Sequence, residues 1–167
     1  VNTGDTAHTK LQLSPAYFHM TAKFFENLAD IAPLHVILGN HDLNLRNPGR
    51  IDAITPIVEA LDHKDIHFHK FSKEVDLGNG FVLNVLSIVD EDKWIDPTDE
   101  SKVNIAMFHG SVAGVTTDTG WIMEHGDINI QQFKPFDYVL LGDIHKTYQK
   151  LDPQGRVAYP GFLVQQN

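Results

Sequence analysis

Three short apolar runs in this chain end the same way, and that shared ending constrains the fold more than any other feature. Val36-Ile37-Leu38 runs into Gly39-Asn40-His41-Asp42, Ile105-Ala106-Met107-Phe108 into His109-Gly110, and Tyr138-Val139-Leu140-Leu141 into Gly142-Asp143-Ile144-His145. Runs rich in β-branched and aromatic residues and stopped by glycine read as buried strands. Each places its polar groups on the loop just past a strand, where open α/β sheets gather their ligands. A fourth segment, Gly4-Asp5-Thr6-Ala7-His8, follows Val1-Asn2-Thr3, which reads as the last part of a strand. Imidazoles and carboxylates set repeatedly past buried strands are expected to converge, and two divalent cations would account for all four segments.

Between these runs the pattern predicts helices and hairpins. Ser14-Pro15 is a helix start, with Tyr17, Met20, Thr21, Phe24, Leu28 and Ile31 at helical spacing until Pro33 ends the run. Ile51, Ile54, Val58 and Leu61 carry a second helix, in which Pro56 either makes a kink or restarts the helix with Thr55 as its cap. Ile66 to Phe71, the turn Gly78-Asn79-Gly80 and Phe81 to Ile88 predict antiparallel strands. Glu91 to Lys102, with Pro97 and seven charged residues, reads as a solvated loop, and Gly110 to Gly120 as another. Asp152-Pro153-Gln154-Gly155 is a turn between two short strands. The expected fold class is α/β: a sandwich of two mixed β-sheets flanked by helices. At 167 residues and 42% apolar composition there is material for one core, so a single domain over 1–167 is expected, read as a fragment cut at both ends.

Composition narrows the chemistry. There are no cysteines, so thiolate sites and disulfides are excluded, while 10 histidines and 22 acidic residues leave N and O ligands abundant. No apolar stretch approaches the roughly 20 residues of a membrane helix and no signal peptide opens the chain, which predicts a cytoplasmic protein without a membrane partner. A formal charge of -9 argues against a wholly basic nucleic-acid footprint, although bound cations would neutralise several acids locally. Lys10, Arg46, Arg50, Lys146 and Lys150 lie near the proposed site in sequence and read mostly as solvated side chains.

Gly39-Asn40-His41-Asp42 is the sharpest signal. Asn40 offers a neutral oxygen to a metal, His41 a proton to a leaving oxygen, and Asp42 a carboxylate to orient the imidazole. Together with Gly4-Asp5, His109-Gly110 and the later Gly-x-x-His, it resembles the calcineurin-like metallophosphoesterase superfamily. Gly4-Asp5-Thr6-Ala7-His8, Gly142-Asp143-Ile144-His145-Lys146 and Tyr159-Pro160-Gly161 resemble, within it, the nuclease subunits of the SbcCD type, most of all those of T-even phage recombination. The resemblance implies a metallophosphoesterase-type fold in which Asp5 bridges two ions, Asn40, His109 and Asp143 complete one, and His145 helps to hold the other. It implies His41 as the catalytic histidine and His8 as a second proton-handling or phosphate-contacting group. It also implies DNA as substrate, an SMC-like ATPase as partner and a possible homodimer. Asp143, a harder ligand that favours Mn²⁺ or Mg²⁺, stands where much of the family has histidine. The family's opening Asp-x-His motif is absent from these residues.

The chemistry expected is in-line hydrolysis of a DNA phosphodiester, exonucleolytic or endonucleolytic. The rival readings are a phosphatase or small-substrate phosphodiesterase on the same site, and a non-catalytic scaffold that keeps the fold. His19, His35, His63, His67 and His69 read as structural or surface residues. His125-Gly126-Asp127 imitates a ligand motif but follows no β-branched run, so it is assigned to a loop or a helix end. Trp121 and Tyr148 have the chemistry to stack on bases, but packing is the expected role of both.

Overall fold

The computed structural model describes residues 1–7, 13–47 and 49–161. In chain order the elements are α1 (Pro15–Ala29), β1 (Leu34–Ile37), α2 (Thr55–Leu61), β2 (Ile66–His69), β3 (Lys73–Gly78), β4 (Phe81–Leu86), β5 (Val103–His109), β6 (Tyr138–Gly142), β7 (Gln149–Lys150) and β8 (Val157–Tyr159). Single 3₁₀ turns lie at Glu91–Lys93 and Ile130–Phe133.

The strands form two sheets. β1 and β2 pair in parallel, and Asn2 adds a parallel bridge to Val36 on the other side of β1. The larger sheet is mixed, in the order β3-β4-β5-β6-β8-β7, with three parallel pairings at its centre and an antiparallel pair at each edge. Ile37 from the small sheet packs on Leu83, Val85 and Met107 of the large one, which joins the two. α1 and α2 cover the outer face of the small sheet, burying Phe25, Ala29 and Ile57 against Leu34, Val36 and Ile66. The outer face of the large sheet is covered by the long segment after β5, through Val112, Val115, Phe133 and Phe136. This is the α/β sandwich of two sheets expected from the sequence. Among the described residues no helix is long and apolar enough to cross a membrane.

Local chemistry explains where the elements differ from their sequence signals. α1 starts as expected, the Ser14 hydroxyl accepting the Tyr17 N–H at 3.1 Å. Its buried stripe is Thr21, Phe25 and Ala29, rotated from the expected one, leaving Met20 at 69% and Ile31 at 82% exposure. α2 begins at Thr55 with Pro56 in its first turn, so the proline restarts the helix rather than kinking it. Thr55 is not its cap; the N-cap is Ile54, and Asp52, two residues before it, steadies the start, its Oδ1 accepting the N–H groups of Ile54 and Thr55 at 3.0 and 2.7 Å. The hairpin partner of β4 is β3, not the Ile66 strand, which pairs with β1 in the other sheet. β3 (Lys-Glu-Val-Asp-Leu-Gly) is a charged edge strand and so carries little apolar signal.

Three histidines cluster on the face of the β1–β2 pair that Ile37 turns toward the large sheet. His35 pairs in register with His67, its ring stacks on those of His67 and His69, and its Nδ1 lies 2.9 Å from His69 Nε2.

Candidate metal centre

Strand register sets the ligand loops level with one another. His109 at the end of β5 is paired with Gly142 at the end of β6, so His109 and Asp143 emerge side by side. The Asn2–Val36 bridge likewise brings Asp5 beside Gly39 and Asn40. The two pairs meet because glycine permits it: a Cβ at Gly39 would collide with the Asp5 backbone and carboxylate, and one at Gly142 with the Thr3 carbonyl. Both aspartates sit at positive φ, Asp5 at 54° and Asp143 at 101°. The second value is unusual for a residue with a Cβ, and such strain collects where a side chain must be aimed.

One ligand atom from each of Asp5, His109 and Asp143 falls within 4.8 Å of the other two. His109, 1% exposed, has its Nδ1 2.7 Å from the Thr3 carbonyl, to which it donates, so the ring presents the lone pair of Nε2. That Nε2 points at Asp5 Oδ1, 3.3 Å away, and at Asp143 Oδ1, 3.8 Å away, and has no hydrogen-bond partner. The Asn40 amide nitrogen lies 3.5 Å from Asp143 Oδ1, and its buried Oδ1 also has no partner. Two orphaned buried acceptors beside two carboxylates are an arrangement that a cation completes. The donor set, oxygen-rich with one imidazole and no sulfur, suits a hard or borderline divalent ion.

Electrostatics agree with this. Burial would raise the Asp5 carboxyl, but the His109 imidazole and the His41 N–H outweigh it and hold Asp5 below its ordinary value. Burial would lower His109, but Asp5, the Thr3 carbonyl and Asp143 raise it, so a positive charge is stabilised at that nitrogen.

The remaining sequence-predicted residues fall around this centre. His41 is exposed, and its backbone N–H donates to Asp5 Oδ1 at 2.8 Å. His145 is exposed and lines, with Asp5 and Asp143, a cavity of about 790 Å³ that also touches Met20 and Phe24 of α1. What Asp42 holds is the loop: its Oδ1 accepts the Ala7 N–H at 2.7 Å and its Oδ2 the Gly39 N–H at 2.8 Å. Burial pushes its carboxyl up to about 6. His8 and Lys10 lie outside the described residues. His125 is exposed in an irregular segment. Trp121 and Tyr148, expected to pack, are 59% and 63% exposed, a correction that follows from their seats on a loop tip and at a positive-φ turn.

Two residues of the site carry no sequence signal of their own role. The Ser111 hydroxyl donates to Asp143 Oδ2. Tyr159, fully buried, donates to the Gly110 carbonyl at 2.6 Å and accepts the Val112 N–H at 3.0 Å, gripping the turn on both sides of Ser111. A serine in a glycine-rich loop looks like any other turn residue.

A family model described as Calcineurin-like phosphoesterase matches residues 1–147. Uncharacterized protein R555 of Acanthamoeba polyphaga mimivirus is similar to the chain, 36% identical over 178 residues that take in 100% of this chain and 13% of that protein. The chain thus spans 13% of the length of the relative it matches.

Proposed function

The chain belongs to the calcineurin-like phosphoesterase family, a family of metal-dependent phosphoesterases, and from that premise we propose that it is the catalytic domain of a DNA phosphodiesterase acting in recombination or break repair. One observation carries the catalytic half of this reading: the unpartnered His109 Nε2 and Asn40 Oδ1, buried beside the Asp5 and Asp143 carboxylates. The DNA half is supported by the likeness of the Asp5, Asp143 and Tyr159 segments to nuclease subunits of the SbcCD type. The SMC-like ATPase partner and a possible homodimer come into the proposal from the same likeness.

Asp5, Asn40, His109 and Asp143 would hold one divalent ion, Mn²⁺ or Mg²⁺, and Asp5 with His145 would contribute to a second. Bound cations supply Lewis acidity toward the phosphoryl group and acidify water. The chain's own residues do the rest. Asp5 anchors the His41 backbone at 2.8 Å, and the His41 imidazole would give a proton to the departing ribose oxygen. Asp42 ties the Gly39 and Ala7 backbones, keeping the Asn40 loop against the Asp5 loop. The open cavity next to Asp5 and Asp143 leaves room for an extended substrate.

The test sets linear duplex and single-stranded DNA against p-nitrophenyl phosphate and its bis-ester, each with Mn²⁺. Cleavage of DNA and the bis-ester, with the monoester slower, is the expected result. Rapid monoester hydrolysis with intact DNA would put a phosphatase in place of the nuclease. Firm metal binding without any hydrolysis would leave the scaffold reading standing.

A further inference from the structure

A carboxylate can meet a cation through one oxygen or through two, and the choice affects which cation is preferred. Calcium takes six to eight oxygens and accepts bidentate carboxylates, whereas the smaller Mg²⁺ demands a near-octahedral shell and hard-ligand Mn²⁺ sites share that geometry. At Asp143 that choice is built into the protein. Its Oδ1 faces the cluster, 3.8 Å from His109 Nε2 and 3.5 Å from the Asn40 amide nitrogen. Its Oδ2 is taken by the Ser111 hydroxyl. The backbone at Asp143 is held at φ 101°, so the carboxylate is aimed by the chain as well.

Ser111 is itself fixed. The residues on either side of it are bonded to one buried phenol, Gly110 through its carbonyl and Val112 through its N–H, so Tyr159 presents the serine toward Asp143. The turn is also tied across the strand ends, the Gly110 N–H donating to the Gly142 carbonyl at 3.2 Å. A serine held this firmly against the far oxygen of a ligand is more than a loop residue.

We propose that Ser111 is a positioning residue that keeps Asp143 a one-oxygen ligand and thereby tunes the centre toward a six-coordinate ion and against calcium. The inference rests on the metal-centre reading of Asp5, Asn40, His109 and Asp143. Removing the hydroxyl frees Oδ2 to turn toward the cation, which suits calcium and loosens the fit for manganese. Replacing Ser111 by threonine keeps the hydroxyl and so keeps the preference.

The experiment measures Mn²⁺ and Ca²⁺ affinities separately by calorimetry on the whole chain, for the wild type, Ser111→Ala, Ser111→Thr and Tyr159→Phe. Far-UV circular dichroism of each variant accompanies the titrations. In the wild type Mn²⁺ binds and Ca²⁺ binds more weakly. In Ser111→Ala the ratio of the two affinities falls by about tenfold, the lower end of what outer-sphere partners of metal ligands contribute. Tyr159→Phe moves it the same way by less, and Ser111→Thr restores it. An unchanged ratio in Ser111→Ala, or an equal loss for both ions, overturns the proposal. A wild type that binds neither ion overturns the metal-centre reading itself, a result distinguishable from the others.

Discussion

At the scale of single residues, the division of labour between His41 and Asp143 is the sharpest thing to test. His41→Asn is expected to lose most turnover while retaining bound metal, because the contact with Asp5 runs through the His41 backbone. Asp143→Ala is expected to lose both, since its Oδ1 faces His109 and Asn40. Metal content measured beside rate separates them, and equal metal loss in the two would mean that His41 is a ligand. Gly39→Ala should disable the centre without replacing any ligand, because the new methyl would displace Asp5; a variant with wild-type metal content would refute that account. The convergence of Asp5, Asn40, His109 and Asp143 was legible because each follows a strand or a glycine that announces it. Ser111 and the two hydrogen bonds of the Tyr159 hydroxyl were not, since a hydroxyl's partner is set by the turn of the chain and leaves no spacing to read. Asp42 was legible as important but not for its two backbone partners, which belong to segments 3 and 35 residues away.

At the scale of elements, the small helix α2 depends on one side chain. Asp52 accepts two backbone N–H groups, the Thr55 hydroxyl at 2.8 Å and the Lys70 ammonium at 2.8 Å. Asp52→Ala should cost about 2 kcal/mol, a Tm lower by about 4 to 8 °C for a chain of this size. A shift under 1 °C would show that the helix is held by its packing on β1 and β2 alone. The strands that end in ligands were readable because burial on both faces gives continuous apolar runs. β3 was not, because an edge strand protects itself with charge, as Lys73, Glu74 and Asp76 do here. The face of α1 was misjudged by one residue because Met20 and Phe24 are turned toward the cavity rather than onto the sheet. Helical spacing marks an apolar side but does not reveal what lies opposite it.

At the scale of the whole molecule, acid sensitivity follows from the histidines on β1 and β2. Burial, then the Lys73 ammonium and the neighbouring imidazoles, lower His69 to about 3. Burial, then the His67 imidazole and the Lys73 ammonium, lower His35 to about 4. Both are neutral in the folded protein and titrate near 6.5 when it unfolds, so the unfolded chain gains protons first and stability falls as pH drops below about 6.5. Opposing groups act in their own windows, Asp42 between 3.8 and about 6, Glu91 above 4.5 and His109 above 6.5, so the two buried histidines govern the range just below 6.5. Urea midpoints should decline from pH 7 to pH 5, and His69→Leu should flatten that slope; a midpoint rising toward pH 5 would contradict the account. The metal centre has a global consequence too. Asp5 and Asn40 reach it from the small sheet, His109 and Asp143 from the large one, so an ion at their meeting point rivets two layers otherwise joined by a thin apolar seam around Ile37. Binding would then add to folding stability, about 2.7 kcal/mol at a free concentration of 100 times Kd. Amide exchange should slow in both sheets together on adding Mn²⁺ and speed up together on chelation, where protection confined to the loops would argue against such coupling. A domain built this way breathes when starved of its ion and stiffens when supplied, so its lifetime against proteases becomes a readout of the metal around it.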